Sequence, residues 1–547
     1  MIIVLDRRST ELRASVDGGE LEPVGDLAAF VARFERDRPR WVWDDTSWWY
    51  PQLLAARVRV DRCFDLRLCH SILRLSELTA GSQLATAPIG PWDRPALEPR
   101  PRDDALFELD DADAEPLPDP VAEFQAQRAA VAASSEPGRI DRLLAVESAG
   151  ALIAAEMQYA GLPWRAREHD EILTRILGPR PRAGERPARL AAVLERVRAA
   201  IDVPDLNPDS PVELLKHLRN AGLAVASTSQ WELADIEHPV IEPLLEYKKL
   251  ARLLSANGWT WLETWVADGR FRPDYVPGGV VTGRWATSGG GALQLPKQIR
   301  GAVVADPGWS LVVADAAQLE PRILAALAGD RAMMTAGAAG DLYAGIVASG
   351  TVETRDQAKV GMLGAMYGGT TGESGRILPR LARAYPRAIG LVEEAARAGE
   401  RGEKVTTRLG RSSPPPSEAW REAQADASGE SATEAATKRA RSQARSWGRF
   451  TRNFVVQGSA AEWALCWMAS IRARLRELAD GAWFTDSAHL VFFLHDEIVV
   501  HCPAGQAESV AAAVRESAEE AGRLLFGSWP ERFPVTVAIV DNYGQAK

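Results

Sequence analysis

Two aspartates that stand where apolar strand-like runs end are the best candidates for chemistry in this 547-residue sequence. The apolar run 311–314 leads to Asp315, and the apolar run 490–494 leads through His495 to Asp496. Short apolar runs of this kind are typical of buried strands. A pair of Mg²⁺ ions about 3.5 to 4 Å apart is held by carboxylates brought together in this way. The pattern therefore predicts a two-metal carboxylate site, which requires the two strands to lie side by side.

A row of side chains on a predicted helix is the second candidate. Arg355, Lys359, Leu363 and Tyr367 recur at every fourth position. Each step of four drifts by only about 40° around a helix, so the four residues share one face. Two cations and an aromatic ring suit a triphosphate and a base. For the row alone, an ordinary solvated helix surface remains the favoured interpretation.

A second row with the same spacing follows later in the chain. It consists of Arg449, Asn453 and Gln457 and is preceded by the basic run 438–449. Such side chains suit sugar and phosphate contacts along a nucleic acid. The solvated face of a long helix explains the row equally well when it is taken in isolation.

Composition limits the classes of protein to consider. The length predicts more than one domain, and a hydrophobic content of 46% indicates real cores. The net charge of -10 excludes a broadly basic nucleic-acid coat, so any anion binding must come from local clusters. The four cysteines lack metal-site spacing, which indicates a reducing cytoplasm. No apolar run is long enough to suggest secretion or membrane insertion.

The elements that must position these residues are predicted from hydrophobic periodicity and from residues that begin or end helices. Strands are expected at 2–5 and 41–43. Helices are expected at 27–34, 432–478 and 507–525. A further helix is expected from 140 to a stop at Gly161, and another after an N-cap at Ser210. We expect a polar loop at 414–430 and a last strand at 535–540. In domain terms, residues 1–78 form a small α/β unit, and the Pro-rich, then acidic stretch 79–137 is expected to be a linker.

Taken together, the motifs resemble DNA polymerase family A of the bacterial repair type, from about residue 140 onward. DAAQLEPR at 315–322 is similar to the family's DYSQIELR, the 355–368 helix to its RxxxKxxx(F/Y)xxxYG, and HDE at 495–497 to its HDE. Supporting likenesses are TGR at 282–284, Gln294, the Arg449 row and TRLGR at 407–411.

The resemblance implies a mixed α+β, multidomain right-hand polymerase. Residues 138–547 would form the polymerase domain, with the thumb at 138–280, the palm at 281–330 and 450–547, and the fingers at 331–449. The implied activity is DNA-templated DNA synthesis, in repair or gap filling. Its partners would be primer-template DNA and deoxynucleoside triphosphates. The protein would be a monomer in the cytoplasm, associated with the nucleoid and not with membranes.

The same resemblance assigns roles to individual residues. Two Mg²⁺ ions, with Mn²⁺ as a substitute, would be held by Asp315, Asp496 and the carbonyl of Ala316. Glu320 occupies the position that blocks a ribose 2′-hydroxyl. The implied catalytic residues are Asp315, Asp496, Glu497, Arg355 and Lys359. The implied nucleotide-binding residues are Gln318, Glu320, Arg355, Lys359, Leu363, Tyr367 and His495. The implied DNA-binding residues are Thr282, Arg284, Gln294, Arg449, Asn453 and Gln457.

The chain also departs from the family pattern. Leu363 stands where the family has an aromatic residue, and Ala316 and Ala317 replace Tyr and Ser. Pro321 follows the sugar-blocking residue, which the first turn of a helix tolerates.

The amino-terminal region lacks part of a nuclease signature. Proofreading relatives carry a DxE motif on the first strand, whereas here Asp6 is followed by two arginines. Asp44 or Asp45 and Asp65 would be the remaining acids. We therefore expect a reduced, inactive 3′-5′ exonuclease-like unit. The alternatives are a bifunctional polymerase with an active exonuclease, and a catalytically silent DNA-binding or scaffold protein that keeps the fold.

Overall fold

A mixture of helices and strands runs through the computed structural model, which describes residues 1–9, 11–94, 118–182, 184–233, 236–369, 372–429, 432–528 and 533–546. Two units emerge from the packing. Unit 1 comprises Met1–Ala160, Tyr275–Ser288 and Val312–Ile539, and unit 2 comprises Gly161–Asp274, Gly289–Leu311 and Val540–Lys547.

The amino-terminal part of unit 1 is built on a five-stranded sheet of order β3-β2-β1-β4-β5. Strands β1, β4 and β5 run parallel, and β2 is antiparallel to β1. The predicted strands and the predicted first helix are confirmed here. The elements are β1 (Ile2–Asp6), β2 (Arg13–Val16), β3 (Glu22–Pro23), α1 (Leu27–Phe34), β4 (Arg40–Trp43), α2 (Thr46–Ala55), β5 (Arg62–Asp65), α3 (Leu66–Leu75), α4 (Gln83–Thr86) and α5 (Pro120–Ala132).

Helix α5 lies inside the stretch that was predicted to be a linker, and there the structure differs from the prediction. Asp119 caps the helix by accepting the backbone N–H groups of residues 121 and 122. Glu123 and Gln127 are buried on its inner face, where Gln127 donates to the carbonyl of Leu66 at 2.8 Å. These contacts make 119–132 a packed element despite its polar composition. Residues 95–117 of the predicted linker lie outside the described residues.

Unit 2 is mainly helical, and its chain begins after α6 (Pro137–Ala160) stops at Gly161, which has a φ of +69°. Ser210 caps the helix that starts at Pro211, as predicted. A three-stranded sheet of order β6-β8-β7 completes the unit. The elements are β6 (Leu162–Pro163), α7 (Ala166–Leu177), α8 (Ala188–Ala200), α9 (Pro211–Asn220), α10 (Gln230–Leu233), α11 (Ile241–Asn257), α12 (Trp259–Trp265), β7 (Val266–Ala267) and β8 (Arg270–Phe271).

The remaining elements include a four-stranded sheet of order β12-β13-β11-β14 and a two-stranded sheet of β10 and β9. The predicted long helix and last strand are confirmed, as α20 and β14. The strands are β9 (Asp274–Val276), β10 (Ala286–Gly289), β11 (Trp309–Ala316), β12 (His489–Leu494), β13 (Glu497–Pro503) and β14 (Val535–Val540). The helices are α13 (Leu319–Ala328), α14 (Arg331–Gly337), α15 (Leu342–Ala348), α16 (Arg355–Tyr367), α17 (Gly372–Ala384), α18 (Pro386–Glu400), α19 (Glu418–Ser428), α20 (Glu434–Leu478) and α21 (Ala507–Phe526).

Helix α19 shows that the polar-loop prediction for 414–430 is wrong over 418–428. Ser417 caps the helix by accepting the backbone N–H of Trp420. Ala423 is buried, and Gln424 donates to the carbonyl of Ala440 on α20 at 2.9 Å. The helix is stabilised by a cap and by packing on α20, neither of which shows in its largely polar sequence.

No helix of the described residues is both long and apolar enough to cross a membrane. All four cysteines are buried thiols.

A buried ion-pair cluster joins the amino-terminal sheet to the long helices of unit 1. Glu156 on α6 accepts hydrogen bonds from Arg472 on α20 at 2.7 Å and from Arg59 at 2.8 Å. Tyr50 donates to the same carboxylate at 2.6 Å. Burial opposes ionisation of Glu156, but Arg472 and Arg59 outweigh it and hold the pKa of Glu156 well below its ordinary value. The cluster therefore connects α2, α6, α20 and the segment before β5 through one carboxylate.

The substitution Glu156→Gln leaves two buried guanidinium groups without a counter-charge. We expect it to lower the free energy of unfolding by about 3–5 kcal/mol, as measured by chemical denaturation at neutral pH. Because folding depresses the pKa of Glu156, the advantage of the wild type is fully present above the unfolded pKa of 4.5 and is lost as pH falls below it.

Glu519→Gln is the matched control. Glu519 and Arg523 form an exposed pair at 3.8 Å, so this change should cost less than about 1 kcal/mol. Equal, small losses in both variants would show that the buried cluster does not stabilise unit 1.

Candidate active site

The two predicted acids lie at the ends of neighbouring strands. Asp315 is near the end of β11, and Asp496 is in the two-residue turn between β12 and β13. The backbone N–H of Ala316 donates to the carbonyl oxygen of Asp496 at 2.9 Å. Strand pairing thus brings the two acid-bearing segments into direct contact, as the predicted carboxylate site requires. Both aspartates are partly exposed, whereas Ala316 is buried.

The turn that carries Asp496 has a constrained backbone. His495 adopts a φ of +60°, a conformation that is uncommon for a residue with a side chain. His495 is exposed at the tip, and Glu497 is 2% exposed at the start of β13. The three residues of the HDE motif therefore differ in environment: an exposed imidazole, a partly exposed carboxylate and a buried carboxylate.

The segment after β11 is tied to the start of α16 through Asp341. Gln318, with a φ of +49° before α13, donates to Asp341 Oδ1 at 3.3 Å. Arg355 donates through Nε to Asp341 Oδ2 at 2.8 Å. The hydrogen bond to Asp341 raises the pKa of Arg355 further above its ordinary value. Asp341 is thus the bridge that places the first cation of α16 beside the Asp315 segment.

Helix α16 presents the predicted row on its accessible side. Arg355, Lys359 and Tyr367 are exposed and Leu363 is half-buried. The opposite side of the helix is buried, with Ala358, Met362, Ala365 and Met366 in the core. The prediction that the four residues share one face is therefore confirmed.

Glu320 lies between two side chains that come from distant parts of the sequence. Arg284 forms an ion pair with one carboxylate oxygen, and Tyr367 donates its hydroxyl to the other at 2.8 Å. Partial burial and the nearby Glu320 carboxylate raise the pKa of Tyr367 to about 12, so its hydroxyl remains a donor at neutral pH. This arrangement joins the TGR motif, the first turn of α13 and the end of α16.

The second predicted row faces outward from α20. Arg449 is exposed, and Asn453 and Gln457 are half-buried among mostly buried neighbours. Thr282 donates to Gln457 Oε1 at 3.1 Å, which brings the TGR motif to this row. Gly368 ends α16 with a φ of +79°, and a Cβ there would lie 2.7 Å from Arg449 Cγ. The two rows therefore meet where α16 ends against α20.

Gln294 belongs to unit 2, where it lines a cavity of about 740 Å³. Arg252 donates to Gln294 Oε1 at 3.4 Å, and Lys248 and Lys249 line the same cavity. Burial lowers the pKa of Lys248.

The acids of the amino-terminal sheet are engaged by neighbouring cations or by helix caps. Arg8 pairs with Asp6 at 2.8 Å, and Arg7 pairs with Asp44 at 2.6 Å. Asp65 caps α3 and accepts the backbone N–H of Thr46 at 2.8 Å. Burial, together with Asp45, raises the pKa of Asp65 to about 7. Asp6 itself and Asp44, one of the predicted remaining acids, are thus paired with the two arginines that follow Asp6.

Three cationic side chains and one carboxylate were not predicted from the sequence. The cations Lys248, Lys249 and Arg252 lie on α11, which contains none of the predicted site residues. Asp341 is recognisable locally as a helix cap, but nothing in the sequence indicates that Arg355 and Gln318 converge on it.

The solved structure of the POL domain of Pol1 from M. smegmatis, in complex with DNA primer-template and dNTP, has a similar fold. The TM-score is 0.70 at 17% sequence identity, over 100% of this chain and 95% of that chain. The mixed α+β fold predicted from the sequence is therefore confirmed as a polymerase-domain fold.

The family follows from sequence comparison. Residues 188–542 match the model for DNA polymerase family A. The chain therefore belongs to DNA polymerase family A.

Relatives include DNA polymerase I of Thermus thermophilus, 27% identical over 338 residues, which are 55% of this chain and 36% of that protein. DNA polymerase I of Chloroflexus aurantiacus is 25% identical over 334 residues, which are 55% of this chain and 32% of that protein. The DNA polymerase of Escherichia phage T5 is 37% identical over 101 residues, which are 18% of this chain and 12% of that protein. The chain thus spans about a third of the length of the bacterial relatives that it matches.

Proposed function

We propose that this chain is a DNA-templated DNA polymerase that adds deoxynucleotides to a primer 3′ end, in repair or gap filling. The observation that carries the proposal is the hydrogen bond from Ala316 to Asp496, which joins the two acid-bearing strands beside the cationic face of α16. Family membership and the solved complex of a similar fold with primer-template and dNTP support the same substrates. On this proposal the palm, fingers and thumb correspond to the ranges expected from the sequence.

The residues at the strand ends fit divalent metal ions. Asp315, Asp496 and the carbonyl of Ala316 offer only oxygen donors, which Mg²⁺ prefers and Mn²⁺ accepts. Two bound ions would supply Lewis-acid activation of the primer 3′-hydroxyl and neutralise charge on the pyrophosphate. Buried Glu497 sits beside Asp496 and would support the turn that carries it.

The chain's own cations and aromatic ring would position the incoming nucleotide. Arg355 and Lys359 share an accessible face and would bind the triphosphate, stabilising charge that develops during transfer. Asp341 holds the Arg355 guanidinium at 2.8 Å, so less side-chain freedom is lost on binding. Leu363 offers an aliphatic surface to the sugar, and Tyr367 would lie near the templating base. Gln318 follows Asp315 by three residues, and His495 directly precedes Asp496, so both would border the same site.

The DNA-contacting set would hold the duplex by its backbone. Thr282 donates to Gln457, Arg284 pairs with Glu320, and Arg449 and Asn453 lie on α20 with Gln457. Within unit 2, Gln294 would contact DNA together with Lys248, Lys249 and Arg252, which line the same cavity. Such contacts fix register without reading sequence.

We also propose that the amino-terminal unit has no exonuclease activity. Asp6 and Asp44 are each paired with an arginine, and Asp65 is a helix cap. Metal ions would have to compete with these guanidinium groups for the carboxylates. The unit would then serve chiefly as a support for the polymerase helices, through the Glu156 cluster.

Loss of either strand-end carboxylate should abolish synthesis. In extension of a labelled primer on a DNA template with Mg²⁺, Asp315→Asn and Asp496→Asn should slow nucleotide addition by about 10³-fold or more while leaving primer-template affinity intact. Asp486→Asn, which removes an exposed carboxylate that pairs with Arg57, is the matched control and should be fully active.

Wild-type protein that binds DNA without extending it would favour the scaffold alternative. Undiminished extension by both aspartate variants would refute the assignment of the acids. The same gel, run without nucleotides, should show no shortening of the primer; shortening would favour the bifunctional alternative.

Glu320 should select deoxyribose by occupying the space of a 2′-hydroxyl. We expect Glu320→Ala to raise ribonucleotide incorporation relative to deoxynucleotide incorporation by about tenfold or more. Glu320→Gln keeps the side-chain volume and is the control, which should retain most of the discrimination. Single-nucleotide kcat/KM values for matched ribo- and deoxyribonucleotides provide the measurement. An unchanged ratio of ribo- to deoxyribonucleotide kcat/KM in Glu320→Ala would contradict the role of Glu320 in sugar selection.

A further inference from the structure

A row of side chains on α20 runs well beyond the residues already assigned. Arg441 and Arg445 precede Arg449, Asn453 and Gln457 at the same spacing of four, and both are exposed. At 1.5 Å per residue and about 40° of drift per step of four, the row extends over about 24 Å of helix and winds about 160° around it. The outer part of this row lies on the half of α20 that packs against α19.

The outer cations have no anionic partner among the described residues. Lys438, Arg439, Arg441 and Arg445 are exposed and form no ion pair with any other residue that the structure describes. The acids of α19 stand in a separate row, at Glu418, Glu422 and Asp426. In a chain with a net charge of -10, an unpaired cationic row is a local anion-binding surface.

A cavity of about 330 Å³ opens beside this row, between α19 and α20. Two tryptophans and three serines dominate its wall. Its lining residues are Ser417, Ala419, Trp420, Ser442, Gln443, Ser446 and Trp447. Ser442 and Ser446 directly follow Arg441 and Arg445 in the sequence, so the cavity borders the cationic row along the helix. Arg449 donates to Ser446 at 2.8 Å, which joins the cavity to the assigned DNA-binding row.

The cavity wall contains polar atoms that are left unsatisfied. Trp420 Nε1, Trp447 Nε1 and Gln443 Oε1 are buried without a hydrogen-bond partner among the described residues. Because these three atoms are closed to solvent, a ligand in the cavity would meet the tryptophan rings and the serine side chains of its lining.

We propose that the α19–α20 cavity and the Arg441–Arg445 row bind an unpaired nucleotide of single-stranded DNA, most directly in the template ahead of the primer end. Aromatic rings beside a cationic row are the features by which proteins bind single strands, through stacking and phosphate contacts. The volume is at the lower end of small-ligand sites and accommodates one base. The inference rests on the proposed function for the identity of the strand.

Binding of primer-templates that differ only in overhang length tests the site. Fluorescence anisotropy would compare a one-nucleotide overhang with a 15-nucleotide overhang, and wild-type protein should bind the longer one about tenfold more tightly. Arg441→Gln with Arg445→Gln should remove that advantage and reduce the salt dependence by a slope of about 1.4, for two lost phosphate contacts on a single strand. Both substitutions are on the surface, so folding is not at risk.

Two sets of matched variants act as controls. The first tests whether the position of the lost charge matters, and the second tests whether the Trp420 ring acts by stacking. Arg397→Gln with Arg515→Gln removes the same charge from exposed positions on α18 and α21 and should keep the advantage. Trp420→Leu should lose it, whereas Trp420→Phe should retain most of it because phenylalanine still stacks.

Two outcomes would overturn the proposal: equal affinity of wild-type protein for both overhangs, and a full advantage in the double arginine variant. The proposed function is tested separately. If the protein fails to extend primers but shows the overhang advantage, the proposed site stands and the polymerase assignment is contradicted. Normal extension on the short overhang, with no overhang advantage, would retain the polymerase and lose the site.

Discussion

The pairing of β11 with the β12–β13 hairpin is the constraint on which the site depends. A single backbone hydrogen bond, from Ala316 to Asp496, marks the register that places both acids at the same sheet edge. Because side chains alternate along a strand, a slip of one residue would turn an acid toward the opposite face. The left-handed backbone of His495 holds the turn in the form that this register requires. Every other group in the site is placed relative to these two strand ends.

Helix α20 connects this sheet to the rest of unit 1. Its middle section carries the Arg449 row, and its last section carries Arg472, which binds Glu156 at 2.7 Å. The first section supports α19 and the cavity with Trp420 and Trp447. One helix thus links the amino-terminal sheet, the candidate active site and a surface suited to single-stranded DNA. This arrangement gives the amino-terminal part of unit 1 a structural role through the Glu156 cluster.

The parts of the site that follow local patterns could be predicted from the sequence. Asp315 and Asp496 end apolar runs, and the Arg355 row has a helical period, so the strands and the helix face were predictable. The partners of Glu320 were not, because Arg284 and Tyr367 approach it only through tertiary packing. The same is true of the convergence of Arg355 and Gln318 on one carboxylate. Helix α19 was missed because a cap and packing on α20 stabilise a polar segment.

Metal binding in a complex that cannot react tests the central claim most directly. Wild-type protein would be bound to a primer that ends in a dideoxynucleotide, with the next matching nucleotide present, and titrated with Mn²⁺ under electron paramagnetic resonance. About two ions per complex are expected for the wild type, with a clear loss in both Asp315→Asn and Asp496→Asn but none in Asp486→Asn. Equal Mn²⁺ binding by all four proteins would contradict the assignment of these two carboxylates as the metal site.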